Sequence, residues 1–432
     1  MKSRAFVAIG AVVGLAVAHP ASAAPQTAIA ESYRTVPSVS GGGPRDLDNI
    51  QVLEVGPKTA KRVLILLAGW YGGAGSLRLV AEGIAEHAPS TQVWAMERRE
   101  QNLERRGEMS KGQNAASAPF VRQWGLALGL RDIRAVVKAA SDHGRRKVFL
   151  GGHSWGATTA MAYAGWDFDG HAGYRDLAGL VLIDGGVHDS FAGEGDTFRL
   201  TEDQAKARLH TIETGDPFDN GLSQLVGSHA PEAAAVFIKA AGARAIAAPE
   251  QVSDLAAALP KGLGPDQAIT NRALLGWMFD AHPAVADLRI HSGRLSAVGS
   301  GPIDWIDDGP APIARVAALF AGDQPFAFEW YWPKRLTLDL EAIDPFTQTP
   351  ATSALGFRLT HGREIDIPLY VVSTGLTHGT VLTSARWVVG QSKITLADYQ
   401  EDPAMGHLDP LLDPYEHNKF LQTVVPFLAK AG

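Results

Sequence analysis

The chain has 432 residues, no cysteine, a formal net charge of −7 and a pI near 6.1. An acidic balance of this kind argues against a nucleic-acid partner, which calls for a basic face, and the missing thiols exclude disulfides and a lipid anchor on cysteine. A hydrophobic fraction of 46% with 20% charged residues supports a sizeable buried core.

The first residues read as a targeting segment. Lys2 and Arg4 form a basic start, Ala5 to Ala18 is an apolar run, and Ala21-Ser22-Ala23 offers the small-x-small pattern of a peptidase site. Residues 1–23 are therefore expected to be a cleaved signal peptide, and the protein to be periplasmic or secreted. The run is too short for a comfortable membrane span of about 20 residues, so no stable membrane insertion is expected.

Beyond Gly41-Gly42-Gly43, a flexible link, apolar runs alternate with amphipathic stretches. Val63 to Leu67 is a near-continuous apolar strand of the kind buried on both faces of a parallel sheet. It ends in Ala68-Gly69-Trp70-Tyr71, and Ser76 caps a helix through Leu79, Ile84 and Ala85. Val93 to Met96 is the next strand. The pairs Arg98-Arg99 and Arg105-Arg106, broken by glutamates, read as a solvated or salt-bridged surface. Leu126 to Ala140 carries Leu130, Ile133, Val136 and Val137 at helical spacing and stops at Asp142-His143-Gly144. Strands follow at Val148 to Leu150 and Leu180 to Ile183. Strand and helix in turn predict an α/β protein with a mostly parallel sheet covered by helices on both faces.

From 185 to 365 the text turns helical and loop-rich, with helices expected over Glu202–Thr211, Pro231–Ile246 and Ala273–Phe279. This is far longer than an ordinary connection of a few residues. It reads as a cap inserted between two sheet strands and lying over the strand carboxyl ends. The core then has two parts, 24–184 and 366–432. The second holds strands near Ile367–Val372 and Lys393–Leu396 and a closing helix over Tyr415–Leu428.

The most informative motif is Gly152-His153-Ser154-Trp155-Gly156, set between the strand Val148–Leu150 and a helical stretch from Ala157 to Ala164. Gly-x-Ser-x-Gly in a strand-turn-helix context is a nucleophile elbow: the serine takes a strained backbone, and the glycines leave room for the turn. A serine hydroxyl needs an imidazole to take its proton. Of the 14 histidines, His407 is best placed, after the last strand signal in the turn-like Pro403-Ala404-Met405-Gly406 setting. His153 leaves the elbow in another direction, for packing or a substrate wall.

The apolar strand ending in Gly69-Trp70, the elbow, the strand end Asp184-Gly185 and Met405-Gly406-His407 together resemble the α/β-hydrolase fold superfamily, and Ser, acid, His is also its chain order. The resemblance implies a Ser154–His407–acid triad. The commonest acid position, just after the strand that follows the insertion, is empty: Ser373 to His378 holds no carboxylate. Asp184 is the chosen acid, with a turn-making Asp-Gly-Gly as its alternative, and Asp398 and Asp402 as runners-up. The main chains of Trp70 and Trp155 are expected to form the oxyanion hole, with Tyr71 as the alternative to Trp70 and, with His153, a substrate-binding candidate. Relatives that open epoxides or remove halogen need an aspartate where Ser154 stands.

Asp304, Asp307 and Asp308 lack the alternation and distal glutamate of a calcium loop, and no paired-histidine motif exists, so no metal or other cofactor is expected. The aromatic group Phe326, Phe328, Trp330, Tyr331 and Trp332 reads as cap core, with Trp330 or Trp332 able to meet a ligand. These residues point to an exported serine hydrolase acting on a small ester-like substrate through an acyl-enzyme. The alternatives are a peptidase or amidase, with Asp189, Glu194 or Glu329 gripping an amine, and a binding protein of the same fold without the reaction.

Overall fold

The computed structural model describes residues 29–106, 118–186, 188–195, 199–219, 231–259, 265–282, 288–299, 301–322, 327–328 and 331–431. The leader expected over 1–23, and Phe326, Glu329 and Trp330, lie outside them. Among the described residues no helix is long and apolar enough to cross a membrane.

Eight strands form the large sheet: β1 (Glu31–Pro37), β2 (Asn49–Val55), β3 (Arg62–Leu67), β4 (Thr91–Met96), β5 (Lys147–His153), β6 (Gly179–Ile183), β7 (Leu369–Ser373) and β8 (Ala397–Glu401), in the order β1-β2-β4-β3-β5-β6-β7-β8. β1 and β2 run antiparallel to their neighbours and every pairing from β4 to β8 is parallel. The chain leaves β3 toward β4 on one side and returns at β5 on the other. Such a reversal opens a crevice at the strand carboxyl ends, here the ends of β3 and β5.

The run of β3 is apolar throughout because both faces are covered. Val63, Ile65 and Leu67 enter one core with helices α2 (Leu126–Ser141), α3 (Trp155–Gly165) and α9 (Thr380–Gln391). Leu64 and Leu66 enter the other, with α1 (Arg78–His87) and α10 (Lys419–Ala431). Alternating side chains thus feed two layers from one strand.

Between β6 and β7 the chain builds α4 (Glu202–Thr214), α5 (Pro231–Ala247), α6 (Asn271–Gly276), α7 (Ile313–Ala321) and α8 (Lys334–Ala342), with two small two-stranded pairs. This segment extends both cores of the sheet. Ala205 and Ile212 of α4 and Leu336 of α8 join the first, while Ile238 of α5, Leu274 of α6 and Val316 of α7 join the second. One polar stitch ties it down: buried Asp339 accepts the Leu126 main-chain N–H at 2.8 Å, capping α2, and the Arg335 guanidinium at 2.7 Å.

Some expectations shift. The strand expected at Lys393–Leu396 is a loop, and β8 begins at Ala397, an edge strand of partly exposed residues without the apolar run that marks an interior strand. Arg99 is not on the surface: it is buried in an ion pair with Asp132 at 2.5 Å and a second with Asp48 at 3.2 Å. Asp304, Asp307 and Asp308 are taken up by Arg272, the Ile313 N–H and Arg294 respectively.

Candidate active site

The turn after β5 puts Ser154 at φ 56°, ψ −123°, a backbone conformation that L side chains rarely adopt, before α3 begins at Trp155. The elbow is packed so closely that only glycine fits on either side. A methyl on Gly152 would lie 2.3 Å from the Gly156 carbonyl carbon, and one on Gly156 only 2.2 Å from the Leu67 carbonyl oxygen. The turn is anchored to the next strand by Ser154 N–H donating to the Ile183 carbonyl at 2.9 Å. Gly69, after β3, comes so near that a Cβ there would be 3.1 Å from the Ser154 Cβ.

Asp184 follows directly on that Ile183 and is fully buried, also at positive φ (47°), with its N–H on the Val372 carbonyl at 2.8 Å. Its Oδ1 accepts the Thr374 N–H at 2.8 Å, and its Oδ2 accepts both the Thr374 hydroxyl and His407 Nδ1, the latter at 2.6 Å. Burial pushes its pKa up, but the hydrogen bond and charge of His407 and the two Thr374 bonds outweigh it and hold the carboxyl below its usual value. With Nδ1 donating to Asp184, Nε2 is the basic nitrogen of His407.

The structure brings Asp184 and His407 together, and Asp184 adjoins the residue that anchors Ser154. It does not bring the runners-up there. Asp398 accepts from Gln400 at 2.6 Å and Asp402 from the Ala404 N–H at 3.1 Å. His153 is 3% exposed, its Nε2 donating to the His407 carbonyl at 2.8 Å with the two rings 4.3 Å apart. Burial, reinforced by the nearby His407, pushes its pKa down to about 3, so the ring is neutral. Its ring packs against that of His407.

Trp70 and Tyr71 follow Gly69. Gly72 N–H returns to the Gly69 carbonyl at 3.0 Å, Arg98 donates to the Gly72 carbonyl at 2.8 Å, and Gly73 N–H reaches Ala327 of the inserted segment at 2.9 Å. This fixes the loop beside the elbow. The exposed Trp70 ring packs on buried Tyr71 at 5.0 Å, Tyr71 on Trp332 at 5.3 Å, and Arg98 lies 4.3 Å over Trp332. Trp332 and Trp155 line one small cavity of about 60 Å³ with Met96, Leu336 and Leu340. On its other side Trp155 borders a larger, more polar cavity of about 420 Å³, with Phe191, His188, Asp189, Asp344 and Arg199. Phe328 instead stacks with Phe320 at 5.1 Å, against the second core of the sheet.

Sequence reading missed Thr374. Its signal was the empty acid position itself: the strand that lacks a carboxylate supplies two donors to the carboxylate of its neighbour. Asp409 reads in sequence as a local cap, and it does take the Gly406 N–H three residues away, but its contact with His291, 118 residues distant, was missed because it is tertiary.

No protein-family model matches the chain, and no curated protein matches it in sequence. In structure it is similar to a candidate lipase from Sulfolobus solfataricus, at 14% identity and a TM-score of 0.54, covering 94% of this chain and 95% of that one. Looser similarities include epoxide hydrolase A from Mycobacterium thermoresistibile (15% identity, TM-score 0.44, 93% and 98% covered). Another is a haloalkane dehalogenase loop variant from Bradyrhizobium elkanii (12%, 0.41, 93% and 97%). The strand order, the elbow at the end of β5 and the first of these similarities agree: the chain has the α/β-hydrolase fold.

Proposed function

We propose that the protein is an exported serine hydrolase acting on carboxylic esters, with Ser154 as nucleophile, His407 as general base and Asp184 as the acid that orients it. The observation that carries this reading is the buried 2.6 Å bond from His407 to Asp184, one residue from the strand end that anchors the strained Ser154. In the proposed reaction His407 Nε2 takes the Ser154 hydroxyl proton as Oγ attacks the ester carbonyl, then returns it to the leaving alcohol. Water, activated by the same nitrogen, releases the acid. Asp184 stays ionised and stabilises the imidazolium, which its depressed pKa permits. The main-chain N–H groups of Trp155 and Trp70 serve as oxyanion donors, a role worth several kcal/mol per donor in such sites.

The ester reading is preferred to an amidase with an amine-gripping carboxylate. Asp189 is already matched by Arg199 and by His188 at 3.2 Å, and Glu194 faces His378 at 3.8 Å. The test is covalent labelling by a fluorophosphonate, together with p-nitrophenyl ester turnover, in wild type and Ser154→Ala. Both signals vanish in the variant while Tm stays near the wild-type value; residual labelling or turnover in Ser154→Ala rejects the assignment. Export from residues 1–23 is tested by N-terminal sequencing of the mature protein, a start near Ala24 being the supporting result.

A further inference from the structure

We infer that Asp409 and His291 are positioning residues for His407, through which the inserted segment sets the geometry of the base. The inference rests on the serine-hydrolase reading of the site. The loop that carries His407 is held by side chains on both flanks. On one, His153 Nε2 donates to the His407 carbonyl at 2.8 Å. On the other, the Gly406 N–H donates to Asp409 Oδ2 at 2.6 Å, and the Asp409 N–H returns to the Gly406 carbonyl at 3.2 Å.

Asp409 is itself gripped from the insertion. The His291 N–H donates to Oδ1 at 2.8 Å, and His291 Nδ1 to Oδ2. Asp409 is 1% exposed, and a buried carboxylate stripped of its hydrogen-bond donors is strongly unfavourable. The backbones are pressed together at the same point: a methyl on Gly406 would lie 2.3 Å from the Arg289 carbonyl oxygen. His291 has little freedom of its own, because Ile290 N–H bonds Phe279 at 2.8 Å and Ser292 N–H bonds Asp280 at 2.8 Å.

The bond to Asp409 raises the His291 pKa against the opposing effect of burial, Arg289 lowers it and Asp280 raises it. Asp413, behind Asp409, is pushed up to about 9 by burial and then by the Asp409 charge, so it adds no competing negative charge at neutral pH. The result is a continuous path: insertion, His291, Asp409, Gly406, His407. Loss of the first link frees the loop, and misplacement of a general base by an ångström costs on the order of a hundredfold in rate.

The experiment is the second-order rate of fluorophosphonate labelling, a reaction in which Ser154 Oγ bonds phosphorus, fluoride leaves and His407 takes the proton. It is run on the full chain beside Tm, for wild type, His291→Ala, His291→Asn and Asp409→Asn. His291→Ala and Asp409→Asn are expected to label between about tenfold and a hundredfold more slowly, with folded protein by Tm. His291→Asn, which keeps a donor at the Nδ1 position, recovers part of the rate, a rescue that a mere packing role would not produce. A folded His291→Ala that labels at the wild-type rate overturns the inference. Should that variant not fold, His291→Gln, with its donor beyond the Nδ1 position, takes its place under the same criterion. A wild type that does not label at all overturns the nucleophile reading and this inference with it, a result distinct from a labelled wild type whose variants label equally fast.

Discussion

The Thr374 main-chain N–H lies 2.8 Å from Asp184 Oδ1, so the strand after the long insertion braces an acid carried by the strand before it. Two consequences differ in size. Asp184→Asn puts an amide where His407 Nδ1 needs an acceptor, allows the wrong tautomer, and is expected to lower kcat by roughly 10⁴-fold with Tm little changed. Thr374→Val keeps the main-chain bond and removes only the hydroxyl, so its loss is far smaller, roughly tenfold to a hundredfold, on the scale of one hydrogen bond to a charged group. Ester turnover across both variants checks the ranking. A near-normal rate for Asp184→Asn moves the acid elsewhere.

The glycines of the elbow separate a steric requirement from mere smallness. Gly156→Ala sets a methyl 2.2 Å from the Leu67 carbonyl oxygen, where main chain from β3 would have to move. It is expected to cost about 3 kcal/mol or more and to displace Ser154. Gly129→Ala is the control: Gly129 lies within α2 and a methyl there meets nothing within 4 Å. Its replacement is expected to stabilise by roughly 0.5–1 kcal/mol, the helix cost of glycine. Thermal denaturation of the pair should give shifts of opposite sign.

What could be read from the chain was whatever leaves a one-dimensional trace. A strand buried on both faces must be apolar at every position, so β3 and β6 announce themselves, and the elbow has a fixed spacing. Edge strands leave no such trace: β8, Ala-Asp-Tyr-Gln-Glu, is half exposed and polar, so reading for apolar runs stopped at Leu396. Arg99 reads as a solvated or salt-bridged surface residue beside three glutamates; it is ion-paired, but buried, and its partners Asp132 and Asp48 are 33 and 51 residues away. Thr374 and His291 were unreadable for the same reason. Each acts on a carboxylate more than 100 residues distant, across a contact that only the folded sheet and insertion create.

His153 makes the protein acid-sensitive. Its folded pKa of about 3 lies below the ordinary imidazole value of 6.5 because burial and the His407 charge oppose protonation. The unfolded chain therefore binds a proton between these values that the folded protein refuses. The sign follows: this contribution to stability is present above about pH 6.5 and is lost as pH falls toward 3. His153→Gln keeps a donor for the His407 carbonyl but cannot titrate. Urea midpoints at pH 7.5 and 4.5 should show the variant at a disadvantage at the higher pH, with the gap narrowing or reversing at the lower. A gap independent of pH sinks the assignment.

Asp413 has the opposite dependence. Buried, with Oδ1 lacking a hydrogen-bond partner among the described residues and Asp409 close by, its carboxyl is pushed from 3.8 to about 9. Between those values the folded protein holds a proton that the unfolded chain releases, so stability from this group falls as pH rises through the window. Asp413→Asn replaces the neutral acid by a neutral group of nearly the same shape and removes the ionisation that favours unfolding. The variant should melt higher than wild type at pH 8, by roughly 1 °C for each kcal/mol gained, and the advantage should shrink toward pH 4. A lower Tm for the variant at pH 8 would mean that the carboxylate is ionised and partnered in the folded protein.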